Sequence, residues 1–480
     1  MWPFGNKAKR TVHRLARMIR ARFDAAVTNA DNTRHWANAD GLSADAAASA
    51  DVRETLRNRA RYEVANNSYA KGIVLTLAND CVGTGPRLQL LTEDTEINRL
   101  VETAFADWAL ETRLAEKLRT MRMAKATDGE AFGMLTVNPA LLSPVKLDAR
   151  LVEADRVTNP AMSLVDETAV DGIEFDRYGN PRRYLVLRQH PGQGSFASTV
   201  ETFDRVPAEA MIHWFRPDRP GQHRGVPEIT PALPLFAQLR RYTLAVLGAA
   251  ETAADFAAVL FTDAPASGEA AAVEPMDIVE LEKRMATVLP DGWKLGQIKA
   301  EQPGTTYGEF KRELLNEIAR CLNMPFNIAA GNSSGYNYAS GRLDHQTYFK
   351  AIRVEQADCN AAVLDRILAA WLAEARLLRP FAFLRGIDLL PHQWFWDGTE
   401  HVDPAKEASA QTQRLANHTT TLATEYARQG KDWETELRQR AKERELMDEL
   451  GLSAPEAGPQ DDTETDEEDD TDDRDERQAA

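Results

Sequence analysis

Between Asp128 and His213 the apolar residues of this chain change period, and that switch limits the folds open to it more than any other feature. On either side they recur every third or fourth residue, as on an amphipathic helix; within the block they alternate, as on a half-buried strand. GEAFGMLTV, VKLDARLVEADRV, DGIEFDRYGNPRRYLVLRQ and AMIHWF are short runs divided by Gly, Pro and Asn. Gly179-Asn180-Pro181 lies between two such runs and predicts a hairpin. An α+β body is therefore expected.

The flanking periodicity predicts helices. Two, broken at Asn66-Asn67, are expected between Asp51 and Cys81, with the apolar residues Leu56, Tyr62 and Val64 before the break and Ile73, Leu77 and Cys81 following it at a four-residue period. Gly83 and Gly85 end the second, Pro86 prevents its return, and RLQLL reads as a strand. A single helix is expected from Glu96 to Lys125, with Ile97, Leu100, Val101, Phe105, Trp108 and Leu114 inward. Beyond the loop RPDRPGQHRGVPE, a helix entered between Thr230 and Pro234 should run to Asp255, a rod of roughly 38 Å. Its shared face holds Phe236, Leu239, Thr243, Val246, Ala250 and Ala253 or Ala254. Strand-like Phe256 to Phe261, a short helix around Asp277 to Val288 and strand-like GWKLGQIKA form a β-α-β insertion. A helix from Gly308 to Leu322 carries Phe310, Leu314, Ile318 and Leu322 every fourth residue, and Met324-Pro325 stops it. NIAAGNSSGYNYASGR then reads as a loop, followed by a helix from about Leu343 to Leu378 with a core stripe of Ala357, Ala361, Leu364, Leu368, Trp371, Ala375 and Leu378. The last ordered unit is expected from Asp403 to Leu452, with Asp432 as a cap, Gly451 as a stop, and ion pairs Glu434 to Arg438 and Glu436 to Arg440.

Charge is segregated to the two ends. Lys7, Lys9, Arg10, Arg14, Arg17, Arg20 and Arg22 precede the first acid, Asp24, and Val12, Leu15, Ile19 and Phe23 recur among them at helical spacing. This start is read as a partner-seeking helix, ahead of a DNA-contacting or membrane-surface one. From Asp461 to Arg477, twelve acids face two arginines, so this stretch holds −10 of the net −17. It is expected to be a disordered, solubilising tail, and in a sharper reading an arm that keeps DNA or a partner off part of the surface. Cys81, Cys321 and Cys359 are too scattered for a metal knuckle and odd in number for a disulfide framework, which fits a reducing compartment. No segment approaches the ~20 apolar residues of a membrane span, so a soluble chain without membrane contact is expected.

No Walker A, HExxH, CxxC or EF-hand pattern is present, which counts against a self-sufficient motor. The nine histidines, among them His190, His213, His345 and His392, have no ligand spacing, so neither a metal nor a cofactor is expected. Trp394 and Trp396 in HQWFWDG read as sheet or core packing rather than a base-stacking platform. Gly331-Asn332-Ser333-Ser334-Gly335 fits the G-x-S-x-G nucleophile elbow, which would make Ser333 the centre of a serine hydrolase, with Asp344, Asp388, His345 and His392 as nominal partners. An elbow needs a buried strand before it and a helix directly after it, and MPFNIAA is a weak strand at best. The flexible-loop reading is preferred, and an enzyme is not expected.

Several stretches, in order, resemble the lambda family of phage portal proteins: NNSYAKGIVLTLANDCVGTGPRLQL from Asn66, DGEAFGML from Asp128, LVEADRV from Leu151, DGIEFDRYGNPRRYLV from Asp171, HWFRPDRPGQHRGVPEITPAL from His213, MPFNIAAGNSSGYNYASGR from Met324 and VDPAKEASAQ from Val402. Their collinearity from Asn66 to Gln411 makes the resemblance specific, with the basic start and acidic tail outside it. The resemblance implies a portal fold of wing, stem, clip and crown that forms a dodecameric ring with an axial channel. On this chain it implies a basic arm over 1–50, an α+β wing over 51–225, a first stem helix over 226–255, a β-α-β clip over 256–303, and a second stem helix over 304–323. There follow a channel-loop region over 324–342, a wing helix and return over 343–402, a helical crown over 403–452 and the acidic tail over 453–480. Twelve helices packed at ~10 Å would leave a lumen of roughly 28 Å, wide enough for a hydrated duplex. Asn332, Ser333, Ser334, Tyr336, Asn337 and Tyr338, with Arg342 at the base, are the candidate channel-loop residues, touching phosphates without reading sequence; in the blander reading they pack the ring interface. The implied partners are other copies of the chain, double-stranded DNA, the terminase large subunit, major capsid and scaffolding proteins, and head-completion or tail proteins. The implied place is the portal vertex of a virion assembled in the bacterial cytoplasm, and another capsid-associated ring or adaptor is the alternative.

Overall fold

The computed structural model describes residues 30, 33–160, 169–193, 202–255, 259–262, 293–296, 306–335, 337–386, 390–398 and 404–452. Most of the basic start, the whole acidic tail and the expected helix around Asp277 to Val288 lie outside these residues.

Helix α1 (Ala44–Ala47) is a single turn, and α2 (Ala50–Asn66) and α3 (Ser68–Val82) meet at the expected asparagine break. Asn67 supplies the physical cause: its side-chain oxygen accepts from the backbone N–H of Tyr69 and Ala70, at 3.0 and 3.4 Å, so it caps the new helix. On α3, Ile73, Leu77 and Cys81 are buried as expected. On α2 the buried face is Arg53, Arg57, Ala60 and Glu63, while Leu56 and Val64 are only partly covered and Tyr62 is exposed. Leu56 and Val64 thus pack at the margin of the core, while two of the most buried positions of α2, Arg53 and Arg57, are ion-paired arginines.

Strand β1 (Arg87–Leu90) pairs antiparallel with β11 (His392–Phe395) from the far end of the chain. The helix expected from Glu96 to Lys125 is two helices, α4 (Thr95–Glu111), capped by Asp94, and α5 (Leu114–Asp128). Between them Arg113 adopts φ 55°, and the Thr112 hydroxyl donates to the Trp108 carbonyl at 2.9 Å. The reversal turns Val101, Phe105 and Trp108 on one helix and Leu114, Leu118 and Met121 on the next into the same core, leaving Leu100 45% exposed. Neither Thr112 nor Arg113 is a local breaker, so packing imposes the turn.

The β-rich block forms two antiparallel sheets. The first has order β3-β2-β8, from β2 (Glu130–Val137), β3 (Leu147–Val152) and β8 (Met211–Phe215); the second has order β4-β5-β6-β7, from β4 (Ala169–Val170), β5 (Ile173–Phe175), β6 (Pro181–Leu187) and β7 (Phe203–Pro207). The Gly179-Asn180-Pro181 hairpin joins β5 to β6 as expected, with Asp176 accepting from the Tyr178 and Asn180 amides at 2.8 Å each. Phe132, Val157, Ile173, Tyr184, Val186, Val206 and Met211 fill the space where the two sheets meet.

The long helix expected after the loop is α6 (Leu233–Asp255), followed by β9 (Val259–Thr262) and β10 (Trp293–Gly296), which pair antiparallel. Its return partner is α7 (Thr306–Arg320); Tyr242 packs on Tyr307 and Phe310 with ring centroids 5.5 and 5.0 Å apart. Leu314 and Ile318 are buried, whereas Phe310 is 53% exposed.

After α8 (Phe326–Ala330), helix α9 (Tyr338–Cys359) continues through a wide π-helical turn, Asn360–Leu364, into α10 (Asp365–Ala375). The expected stripe holds only from the last residue of the turn onward, where Leu364, Leu368, Trp371 and Ala375 are buried. Ala357 and Ala361 are exposed and Cys359, Ile352 and Tyr348 are buried instead, since an extra residue in the turn rotates the face by roughly 100°. Trp371, Phe381, Phe105, Trp108 and Trp394 form an aromatic cluster with centroid separations of 5.2 to 5.7 Å, and Trp394 thereby packs in sheet and core as read. The terminal unit is α11 (Pro404–Ala416), α12 (Leu422–Arg428) and α13 (Trp433–Glu449); Asp432 caps α13, and Glu434 meets Arg438 at 3.2 Å. Glu436 pairs with Lys431 at 3.7 Å rather than with Arg440.

Two glycines permit the closest approach of backbone to backbone among the described residues. Gly129, at φ +91°, ends α5, and a Cβ there would lie 2.4 Å from the Val226 carbonyl carbon; a Cβ on Gly225 would lie 2.1 Å from the Gly129 oxygen. Gly129→Ala should cost about 2–4 kcal/mol, whereas Gly221→Ala, also at positive φ but facing open space, should cost clearly less. Urea unfolding midpoints of the two variants check this, and equal shifts would count against the close approach.

Candidate functional site

The candidate channel-loop residues sit at the exposed junction between α8 and α9. Pro325 precedes α8, and Gly331 ends it at φ 62°. The Asn332 amide donates to the Asn327 carbonyl at 3.0 Å, and its side chain accepts from the Ser334 amide at 2.9 Å, making a tight turn that Gly335, at φ +83°, completes. Asn332, Ser333, Ser334 and Asn337 are exposed, as is Arg342. Tyr336 lies outside the described residues, and for Tyr338 only the backbone is described. The loop is shorter than expected: α9 starts at Tyr338 rather than Leu343, so Tyr338 and Arg342 belong to its first turns. Its first bond, from the Gly341 amide to the Asn337 carbonyl at 3.0 Å, forms despite the small residues of ASG, which gave the segment the composition of a loop. The base is fixed by Asn327, 91% buried, whose amide meets His345 Nε2 at 3.0 Å.

Ser333 does not sit in a nucleophile elbow. A five-residue helix precedes it, not a strand, and four residues separate it from α9. Among its nominal partners, His345 is engaged with Asn327, and His392 faces Asp365 at 3.2 Å. Asp344 is exposed, and Asp388 lies outside the described residues.

A buried ionic cluster was not foreseen. Glu130, the first residue of β2 and fully enclosed, receives the Arg224 guanidinium through two bonds of 2.6 and 2.8 Å, His213 Nε2 at 3.0 Å and the Gly225 amide at 3.1 Å. Arg224 also reaches the Val157 carbonyl at 2.9 Å and Asp171 at 3.1 Å, and Asp171 pairs with Arg53. Arg57 lies 3.3 Å from Asp155, and Arg61 holds Asp128 at 2.8 Å and Asp155 at 2.6 Å. A second group joins Arg122 to Glu228 at 2.9 Å and Lys125 to Glu355. Together they tie α2, α5, α9, both sheets and the loop before α6. The available signal was Arg53, Arg57 and Arg61 at four-residue spacing, one face of a helix.

Burial alone would raise the Glu130 carboxyl, but Arg224 and His213 outweigh it and hold it well below the usual range. For His213, burial between Phe132 and Phe215, stacked at 4.3 and 4.4 Å, outweighs Glu130 and lowers the imidazole. Burial raises Asp128 despite Arg61. Among the described residues, no group of three or more His, Cys, Asp and Glu could hold a metal ion, and no helix is long and apolar enough to cross a membrane.

The most enclosed charges among the described residues therefore hold elements of the fold together. The chain belongs to the lambda family of phage portal proteins, whose sequence model matches residues 7–356. That match takes in part of the basic start, which the quoted motifs had left outside, and stops before Val402. A protein described as the probable portal protein of Halomonas phage phiHAP-1 is 25% identical over 435 residues, covering 84% of this chain and 82% of that one. The neck of an empty gene transfer agent particle aligns at TM-score 0.47 and 14% identity over 76% of this chain and 91% of that one. An HK97 family portal protein from Corynebacterium diphtheriae aligns at TM-score 0.29 and 13% identity over 72% and 96%.

Glu130→Gln leaves Arg224 with Asp171 as its remaining counter-charge and should cost about 3–5 kcal/mol. In the parent protein the folded state binds fewer protons than the unfolded one at both lowered groups. Stability should thus decline from His213 as pH falls below about 6.5 and from Glu130 below about 4.5, and the second decline should shrink in Glu130→Gln. Thermal midpoints between pH 7.5 and 3.5 read both.

Proposed function

We propose that this chain is the portal subunit at the capsid vertex, a ring through which double-stranded DNA enters during packaging and leaves on ejection, and the docking platform for the terminase and then for head-completion or tail proteins. The observation that carries the reading is the family match over residues 7–356. In it, α6 and α7 serve as the paired stem helices, β9 and β10 belong to the clip, and α11 to α13 form the crown. A ring of one subunit type closes by a head-to-tail interface.

The segment at the α8–α9 junction is the part assigned to the DNA. Asn332, Ser333, Ser334 and Asn337 are short, polar and exposed, the segment is anchored at one end by Asn327 and His345, and its only described cation is Arg342. Duplex DNA carries one charge per ~1.7 Å, so a densely cationic bore would bind it by counterion release and stall it. Amide and hydroxyl groups with a single arginine can touch phosphates in passing.

Negative-stain images of the purified protein should show rings with an axial hole, and particles without one would defeat the proposal. Replacing Asn332–Asn337 by a Gly-Ser segment of equal length should leave ring formation intact while lowering packaged DNA per head at least tenfold. Undiminished packaging by that variant would remove the segment from the channel.

A further inference from the structure

A groove of about 810 Å³ lies between α7 and the loop leading into α6. Its floor is apolar, from Val226, Pro227, Pro231 and Leu314, with Phe310, 53% exposed, at its edge. The α7 wall carries an acidic row and, at its end, Arg320. Glu309, Glu313 and Glu317 follow one another at four-residue spacing, about 6 Å apart, all exposed; Glu313 and Glu317 line the groove, and neither has an ion-pair partner among the described residues. Asp218 adds an acid to the opposite wall, where Arg216 balances it at 2.9 Å.

The chain itself enters the fold beside this groove. The Leu42 carbonyl accepts from Arg219 at 3.0 Å, and Asp45 holds the His223 ring and amide at 2.7 and 3.0 Å. These contacts clamp the amino-terminal side of the fold to the loop that supplies Arg216 and Asp218 to the groove. The stretch between Phe23 and Leu42 spans at most roughly 60 Å, enough to bring the preceding residues to the floor. Their sequence is complementary to it. Val12, Leu15, Ile19 and Phe23 share one helical face, Lys9 and Arg20 flank it on one side and Arg22 on the other, and no acid occurs before Asp24.

We propose that the groove between α7 and the 216–231 loop is the docking site of the chain's own basic segment, residues 12–23, with its apolar face on the groove floor and its flanking cations against Glu313 and Glu317. The segment thereby covers apolar surface that the body leaves open and neutralises an acidic row with no partner of its own. Docking held partly by exposed charges weakens with salt, so the segment is released without disturbing the core.

Cys321 lines the groove and is partly accessible, whereas Cys81 and Cys359 are fully buried, so alkylation reports on this site alone. In the full-length protein at fixed alkaline pH, iodoacetamide should modify Cys321 at least tenfold more slowly than in L15D/I19D. Reversal on either side, R20E/R22E or E313R/E317R, should also accelerate it, and combining the two pairs should restore slow modification. Unchanged thermal midpoints in the segment variants would show that the fold is intact. Equal rates in all variants would overturn the proposal. So would a rate that follows protein concentration and ignores the segment substitutions, since the cover would then be another copy's body.

Discussion

The fold depends on the enclosed pair of Glu130 and Arg224. Each partner alone would be an unpaired charge in a dry site, so β2 and the loop before α6 must meet for either to be buried at all. His213, Asp171 and the Gly225 amide use the remaining bonding capacity of the two groups. The gain over a hydrophobic packing of equal volume is small, because desolvation offsets most of the attraction. What the pair contributes is register: an apolar contact tolerates a shifted strand, whereas a two-bond guanidinium–carboxylate pair does not.

The close approach of Gly129 and Gly225 has the same origin. Arg224 and Glu130 are the immediate chain neighbours of these two glycines, so the pair brings two backbones nearer than any side chain allows. Lys125 and Arg122, on the turns of α5 just before, extend the connection to Glu228 and Glu355. In this way the end of one helix, the start of one strand and the start of the longest described helix share a single fixed point.

Much of this was legible beforehand because it was encoded locally. The Asn66-Asn67 break, the hairpin at Gly179-Asn180, the β pairs and α6 all have a period or a cap within a few residues. The omissions share a different cause. The turn at Arg113 has no breaker in it, and the start of α9 at Tyr338 is hidden by small polar residues whose composition suits a loop. Hydrophobic periodicity missed the most buried face of α2, since arginines occupy it, and their partners Asp128, Asp155 and Asp171 are up to 118 residues away. The candidate DNA-contacting segment was found as a polar stretch; its anchoring by Asn327 and His345 depends on three-dimensional proximity.

The wide turn at Asn360–Leu364 has a consequence for how the chain can vary. An ordinary helix carries one rotational phase from end to end, so a residue inserted or lost anywhere shifts every side chain beyond it. Here the phase is already reset once, with Tyr348 and Ile352 packed on one side of the turn and Leu368 and Trp371 on the other. The two halves form one rod in length but turn different faces toward the same core. The turn is therefore the place where a change of length does the least harm to either half.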